Sequence, residues 1–170
     1  MRDPDEGART DRPTRIATVA TLLLLAFAPS APAGVRDDRP NLVGGEMGGR
    51  GLVLTANYER YITDQFGIGG GIMAIGGSDG LLTIAPVYAS ALFGNINSLY
   101  LAAGGTHVTG TGNSFNSSWL IHGSIGYQYQ STGGLFVRPF FSIISSTGKD
   151  SEDRPRFLMV LPGLTIGMSF

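Results

Sequence analysis

The stretch Pro162-Gly163-Leu164-Thr165-Ile166-Gly167-Met168-Ser169-Phe170 alternates strictly between two classes of side chain. Side chains point to opposite faces of a strand with a period of two. One side of an extended strand here would carry Leu164, Ile166, Met168 and Phe170. The other side would carry only glycine, threonine and serine. The stretch therefore predicts a β-strand with one apolar face and one small, polar face.

The same alternation recurs in most of the strand-like runs of residues 52–170 and is weaker in residues 81–93 and 99–109. In residues 119–130, Trp119, Ile121 and Ile125 share one face, whereas His122 and Ser124 share the other. Turn-forming residues separate such runs, as expected for a series of hairpins. We predict seven strands in this way, at 52–61, 66–75, 81–93, 99–109, 118–130, 134–145 and 157–170.

An eighth strand is expected at Asn41–Met47, followed by a turn at Gly48-Gly49-Arg50-Gly51. Bacterial single-chain barrels have an even number of strands, which favours eight over seven. The segment is short, because a tilted membrane crossing usually needs about 9–11 residues. Alternatively, it extends back past Pro40, or it continues into the next run as one long bent strand.

Residues 1–33 have the features of a secretory signal peptide. The apolar run Ile16–Phe27 follows Arg12 and Arg15 and precedes the small-residue pattern Ala31-Pro32-Ala33. The run is too short to predict a membrane-spanning helix. We therefore expect a cleaved signal peptide at 1–33, a flexible N-terminal segment at 34–40 and a barrel domain at 41–170.

Charge and composition exclude several kinds of partner. Residues 34–170 carry eight basic and nine acidic side chains without a basic patch, so nucleic acid is not an expected partner. The sequence has no cysteine, and its two histidines, His107 and His122, form no metal-ligand pattern. We expect neither a metal nor a cofactor.

The strands carry few charges, which indicates that their apolar faces point outward. Only Glu59, Arg60 and Arg138 lie within the predicted strands, with Glu46 and Arg50 near the first. A lipid-facing exterior requires every backbone group to be paired, so the sheet must close. The sequence thus predicts an all-β, closed, antiparallel, up-and-down transmembrane β-barrel of about eight strands. An interfacial aromatic girdle is expected from Tyr58, Tyr61, Tyr100, Trp119, Tyr127 and Tyr129.

Four segments resemble small bacterial outer-membrane β-barrel proteins of the OmpA-like and uncharacterised kinds. They are residues 57–60, 126–130, 134–139 and 163–170. The last segment also resembles the C-terminal signature of this class, in which the assembly machinery reads an alternating strand closed by phenylalanine. The resemblance implies a location in the outer membrane. It also implies outer-membrane lipid, lipopolysaccharide and the barrel-assembly machinery as partners, and it implies no particular activity.

Arg138 is the most informative charge, because it lies mid-strand on the polar face. A guanidinium inside a narrow barrel needs a carboxylate partner. We expect Glu59 to be that partner, with Glu46 as the second choice. Such a group is either a gate or anion site or, as we prefer, a structural ion pair in a lumen that side chains fill.

His122 and Ser124 resemble the His-x-Ser dyad of outer-membrane lipid A deacylases, in which histidine activates a serine nucleophile. That family has asparagine after the serine, where this sequence has Ile125. An interior histidine and serine without catalysis are the preferred interpretation, so no catalytic residue is predicted. We expect a structural or envelope role. The alternatives are a narrow channel or ligand-binding barrel, a lipid A-modifying enzyme and a soluble, lipocalin-like carrier.

Overall fold

The computed structural model describes residues 34–77, 80–111, 117–146 and 158–170. The expected signal peptide and the charged loop at 149–154 lie outside these ranges. The elements are a one-turn helix α1 (Val35–Asp38) and eight strands: β1 Asn41–Gly48, β2 Leu54–Tyr61, β3 Phe66–Gly77, β4 Gly80–Gly94, β5 Asn97–Gly110, β6 Ser118–Gln130, β7 Leu135–Ser146 and β8 Leu158–Ser169. No helix in the described ranges has the length and apolar character needed to cross a membrane.

The eight strands form one closed barrel in which every neighbouring pair is antiparallel. β1 pairs with β2 from Asn41↔Arg60 to Met47↔Leu54, so the expected eighth strand exists and is separate from β2. β1 also pairs with β8, which closes the sheet. The predicted up-and-down, eight-stranded, closed antiparallel barrel is confirmed.

Short turns collect at one end of the barrel, which we call the turn end. It holds the connections at residues 62–65, 95–96 and 131–134. The other end, the loop end, receives the connections that begin after Gly48, Gly77, Gly110 and Ser146. α1 lies at the turn end, because the Arg36 side chain there donates to backbone oxygens of both adjoining turns. Segment 34–40 was expected to be flexible, but in the structure it holds this anchored helix.

The β1–β2 connection folds into the barrel instead of projecting from it. Gly48 and Gly49 have φ values of 69° and 56°, and Leu52 has 65°, a backbone region that glycine adopts without strain. A 3₁₀ turn at Gly49–Gly51 follows, and all three of its residues are buried. Because residues 52 and 53 belong to this connection, β2 begins at Leu54 rather than at residue 52. The inward turn carries Arg50 into the lumen.

The two faces of the wall differ as the alternation predicts. β2 alternates without exception between outward-facing residues and buried ones. Outward-facing apolar side chains such as Ile125 and Phe141 are 55% and 58% exposed, whereas Glu46 and Arg138 in the lumen are 0% and 1% exposed. The barrel therefore has an apolar exterior, and its interior holds all of these charged groups together with buried apolar side chains such as Leu92 and Phe140.

The expected aromatic girdle is only partly correct. Tyr58, Trp119, Tyr127 and Tyr129 face outward, but Tyr61 and Tyr100 are buried in the lumen. Tyr61 has the same parity as Glu59 on β2, which places both inside. Tyr100 pairs with Leu92 and Gly126 across its two neighbouring strands, and it is fully buried.

Glycines on the inner face make room for large aromatic side chains. A Cβ on Gly69 would lie 2.5 Å from Cζ of Tyr88, far inside van der Waals contact. Gly163 faces the Phe140 ring in the same way. By contrast, a Cβ on the outward-facing Gly123 would meet no atom within 4 Å. Glycine is thus a packing requirement on the inner face of the barrel.

Proline interrupts the hydrogen-bond ladder at two places in the described strands. The β3–β4 pairing stops at Gly70↔Val87 and resumes at Met73↔Ile84, on either side of Pro86. The β6–β7 pairing stops at Gly126↔Phe140 and resumes at Tyr129↔Val137, on either side of Pro139. Because proline has no N–H, the carbonyl opposite it receives no ladder hydrogen bond.

Candidate functional site in the polar lumen

The first ion pair of the lumen joins β2 and β7. Arg138 Nη1 lies 2.6 Å from Glu59 Oε2, and both side chains are almost completely buried. Glu59 also accepts hydrogen bonds from the hydroxyls of Tyr88 and Ser90. The structure thus brings Arg138 together with the carboxylate that parity singled out.

Arg138 uses its remaining surface on neutral groups. Its Nε donates to Gln128 Oε1 at 2.7 Å, and its Cζ lies 4.1 Å from the centroid of the Tyr100 ring. A cation over an aromatic face is attracted by the ring quadrupole. Gln128 in turn donates to the Tyr61 hydroxyl at 2.8 Å. The guanidinium is therefore enclosed by partners on several strands.

A chain of amides connects this pair to the turn end. Gln128 Nε2 donates to Gln130 Oε1 at 3.0 Å, and Gln130 Nε2 donates to the Ser169 hydroxyl at 3.1 Å. The Ser169 hydroxyl then donates to the backbone oxygen of Gly134 at 3.0 Å. The part of the lumen near the turn end is thus filled by side chains that hydrogen-bond to one another.

The second ion pair joins Glu46 on β1 to Arg50 in the inward turn. Arg50 Nη2 lies 2.8 Å from Glu46 Oε2, and neither side chain is exposed. Glu46 also accepts from the backbone N–H of Gly51 at 3.1 Å and from Asn57 Nδ2 at 3.1 Å. Glu46, the second choice as a partner of Arg138, pairs with Arg50 instead.

Two tyrosines connect the ion pairs. The Tyr88 hydroxyl donates to Glu59 at 3.2 Å, while the Tyr88 ring lies 3.5 Å from Arg50 Cζ. The Tyr100 hydroxyl accepts from Arg50, while the Tyr100 ring faces Arg138. Each tyrosine therefore contacts one ion pair through its hydroxyl and the arginine of the other ion pair through its ring. We call these six residues the lumen network: Glu46, Arg50, Glu59, Tyr88, Tyr100 and Arg138.

Arg50 is not among the predicted interior residues, because it lies in a segment expected to form a turn. The glycines on both sides of it, in Gly48-Gly49-Arg50-Gly51, are the available signal. They permit the positive φ values that turn the chain inward. Thr106 secures the result by donating its hydroxyl to the Arg50 backbone oxygen at 2.9 Å.

His122 and Ser124 both face the lumen and are not hydrogen-bonded to each other. The Ser124 hydroxyl lies 2.7 Å from the Ser142 hydroxyl, and among the described residues neither ring nitrogen of His122 has a hydrogen-bond partner. Both side chains are more than nine-tenths buried. Ile125, the residue in the asparagine position of the deacylase pattern, points outward. The geometry of a histidine-activated serine is not formed.

The expected assembly signal lies on the outer face of β8. Ile166, Met168 and Phe170 are about half exposed or more, and Leu164 is partly exposed. The backbone of Phe170 exchanges two hydrogen bonds with Asn41 across the β1–β8 seam. Recognition of these residues by assembly machinery stays a prediction. Within the described part of the chain, no group of three or more His, Cys, Asp or Glu side chains is placed to hold a metal ion.

Comparisons with known proteins support the fold. No family model matches the sequence, and no curated protein matches it either. The N-terminal β-barrel domain of Pseudomonas aeruginosa OprF is 15% identical and has a TM-score of 0.57. The match covers 78% of this chain and 98% of that domain. Ail, the attachment invasion locus protein of Yersinia pestis, is 16% identical over 76% of this chain and 94% of Ail, with a TM-score of 0.46. The chain thus has the fold of the OprF barrel domain, and the expected small-barrel resemblance is confirmed at the level of fold.

Proposed function

We propose that this chain is an integral outer-membrane protein with a structural role in the envelope and a closed, non-conducting lumen. The observation that carries the proposal is the lumen network. Its two arginines and two glutamates are buried and paired with one another in the middle of the barrel. An eight-stranded barrel is only wide enough for its side chains to fill. Such an interior serves as a scaffold for the wall.

The exterior supports the membrane location. Large apolar side chains are exposed on the outer face of every strand, among them Val43, Tyr58, Ile72, Val87, Leu99, Ile125, Phe141 and Val160. Soluble monomers rarely expose apolar patches of more than a few hundred Å². In lipid the same surface is favourable, and the closed ladder leaves no free sheet edge. We therefore propose outer-membrane lipid and lipopolysaccharide as neighbours of the wall, and the barrel-assembly machinery as the partner during insertion.

A lipid-modifying activity has no support in the lumen. His122 lies inside the wall, whereas a lipid substrate would lie outside it. In the part of the chain that the structure describes, neither a nucleophile nor a carboxylate is hydrogen-bonded to its ring. We propose that the protein does not act as an enzyme, and unchanged lipid A in overproducing cells is the expected result.

The first test is folding of the exported protein from urea, with and without detergent micelles. We expect β circular dichroism and a heat-dependent gel shift only with detergent, because the exterior needs an apolar solvent. A folded, monodisperse protein in plain buffer would instead support a soluble, lipocalin-like carrier. Cell fractionation tests the location separately, with the protein expected in the outer-membrane fraction.

The second test is conductance in a planar bilayer. We expect no channel activity from the wild-type protein, because the lumen network blocks the path. Steady single-channel currents from wild-type protein would overturn the closed-lumen proposal and favour a narrow channel. Arg138→Ala then identifies the constriction, with Arg60→Ala as a control, since Arg60 is an exposed strand arginine on the outer face.

A further inference from the structure

Residues 34–38 lie across the turn end and are fixed there by a buried arginine. Arg36 is 2% exposed. Its guanidinium donates to the backbone oxygens of Asp64 (3.0 Å), Gly94 (2.9 Å) and Asn95 (2.8 Å), and to the Ser98 hydroxyl. These contacts hold α1 against both the β2–β3 turn and the β4–β5 turn. They also commit the positive charge of Arg36 to neutral acceptors.

Two carboxyl groups lie near one another at the same place, and within the described residues neither forms a salt bridge. The carboxyl groups of Asp64 on the β2–β3 turn and Asp37 on α1 lie close enough to interact with each other. Burial, and then this contact with Asp37, raises the pKa of Asp64 above its usual value. The Oδ1 atom of Asp64 is buried and has no hydrogen-bond partner in the described ranges.

The backbone nitrogen of Gly34 lies at this carboxyl pair. It hydrogen-bonds the Asp64 carboxyl, and a Cβ built on Gly34 would lie 3.6 Å from Asp64 Oδ1. The carbonyl of Gly34 accepts from the Asp37 N–H at 3.0 Å, which forms the turn of α1. The next residue is also held, because the Val35 N–H donates to Asn95 Oδ1 at 3.3 Å. The position of Gly34 is thus fixed by three neighbours.

We propose that the α-ammonium of Gly34, formed when the leader is removed, is the missing cation and pairs with Asp64 and Asp37 to lock α1 onto the barrel. This inference rests on the proposed export of the chain. Hydrolysis adds water across the Ala33–Gly34 peptide bond, giving a carboxylate on Ala33 and an amine on Gly34. An α-amine has a pKa of about 7.7–8.0, so it is mostly protonated at neutral pH. Processing therefore changes a neutral amide into a charged partner at a prepared site.

Through this ion pair, removal of the leader stabilises the contact between α1 and the turn end. Before cleavage, α1 is held by Arg36 and by neutral hydrogen bonds. After cleavage, the ammonium relieves the repulsion between Asp37 and Asp64, and an ion pair joins Gly34 to the β2–β3 turn. The turn end is then closed more firmly in the mature protein than in its precursor.

The test is amide hydrogen exchange of residues 34–40 in the exported protein, purified in detergent, after its intact mass has been measured. We expect a chain that begins at Gly34. Asp64→Asn should speed exchange of this segment by about threefold to fivefold, the size of a partly exposed ion pair. Insertion of Ser-Ser between Ala33 and Gly34, which moves the amine away, should have the same effect. The matched control is Asp38→Asn, which removes an exposed acid of the same helix and should change nothing.

A variant that combines the insertion with Asp64→Asn distinguishes the proposed ion pair from a contribution that Asp64 makes without the ammonium. If ammonium and carboxylate act on each other, the combined variant exchanges no faster than either change alone. An insertion without effect on exchange, or a mature chain that begins elsewhere than Gly34, overturns the proposal. Neither result affects the location, which fractionation decides, and a protein absent from the outer-membrane fraction leaves these exchange comparisons intact.

Discussion

The wall and the lumen of this barrel are built from the same strands but obey opposite rules. On β6, Ile121 and Ile125 point outward and are about half exposed, while Gln128 and Gln130 point inward and are fully buried. On β7, Phe141 is exposed and Arg138 is not. Charged and amide groups are thus enclosed alongside buried apolar side chains such as Leu92 and Phe140, while the outer face displays apolar groups, unlike the surface of a soluble protein.

This difference shows that the two faces are stabilised by different means. The wall gains free energy only where an apolar solvent covers it. The lumen gains its stability from mutual satisfaction of charges and hydrogen bonds, and it loses heavily if one partner is removed. The two contributions can therefore be broken separately by substitution.

The largest effect is expected in the lumen. Arg138→Ala leaves Glu59 buried without its cation, which should lower the free energy of unfolding in detergent by about 3–5 kcal/mol. Urea titration followed by circular dichroism measures the change. The paired replacement Glu59→Leu with Arg138→Met should recover most of the loss, because apolar substitutes remove the unpaired charge. Equal losses for the single and paired variants would contradict this account of the lumen.

A smaller effect is expected in the wall. Ile125→Arg places a charge on the outer face near the middle of β6 and should cost about 2–4 kcal/mol in a bilayer. The control is Leu135→Arg, at the turn-end start of β7, where a charge near the interface should cost about 0–1 kcal/mol. Unfolding titrations in lipid vesicles give both values. If the two sites were equally tolerant, the outer face would not be in contact with hydrocarbon.

Glycine substitutions compare the two faces without any charge. Gly69→Ala forces a methyl group against Tyr88 and should destabilise the barrel by about 1–3 kcal/mol. Gly123→Ala adds a methyl to open space outside and should be neutral or stabilising by up to about 1 kcal/mol. Thermal unfolding in detergent would show the difference, and similar midpoints for both variants would mean that the inner packing is loose.

The smallest effect is expected at the ladder interruptions. Pro86→Ala restores an N–H that can donate to the Gly71 carbonyl, so exchange of the Gly71 amide should slow by about fivefold, the value of one net hydrogen bond. Exchange measured by NMR in micelles tests this. The control is Pro162→Ala, because the β7–β8 ladder is continuous through Pro162. A faster Gly71 amide would indicate that the proline ring stiffens the wall more than the missing bond weakens it.

Parity explains which parts of this architecture the sequence could predict. The alternation in β2 and β7 placed Glu59 and Arg138 on the polar face, and the structure pairs them. The same parity places Tyr61 beside Glu59, but its position near a strand end suggested a girdle residue instead. Tyr100 lies in a strand with weak alternation, so only its pairing with Leu92 and Gly126 reveals its direction.

Features that depend on the conformation of a turn could not be predicted from the alternation of side chains along strands. Arg50 enters the lumen because the connection after β1 folds inward, and this requires the positive φ values of Gly48, Gly49 and Leu52. Segment 34–40 looked like a flexible start, since a four-residue helix has no periodicity of its own. Its order comes from Arg36 contacting turns that lie 28 and 58 positions away along the chain.

The β1–β8 seam also has a consequence for the order in which the barrel forms. Asn41 meets Phe170 across 129 positions of sequence, whereas every other neighbouring pair of strands is consecutive in the sequence. Hairpins can therefore form early, but β1 keeps a free edge until β8 is in place. We therefore expect ring closure to be the slow, late event of folding, since an incomplete barrel has two open edges at which another chain can add. A helper that holds β1 until β8 arrives would protect the protein during that interval.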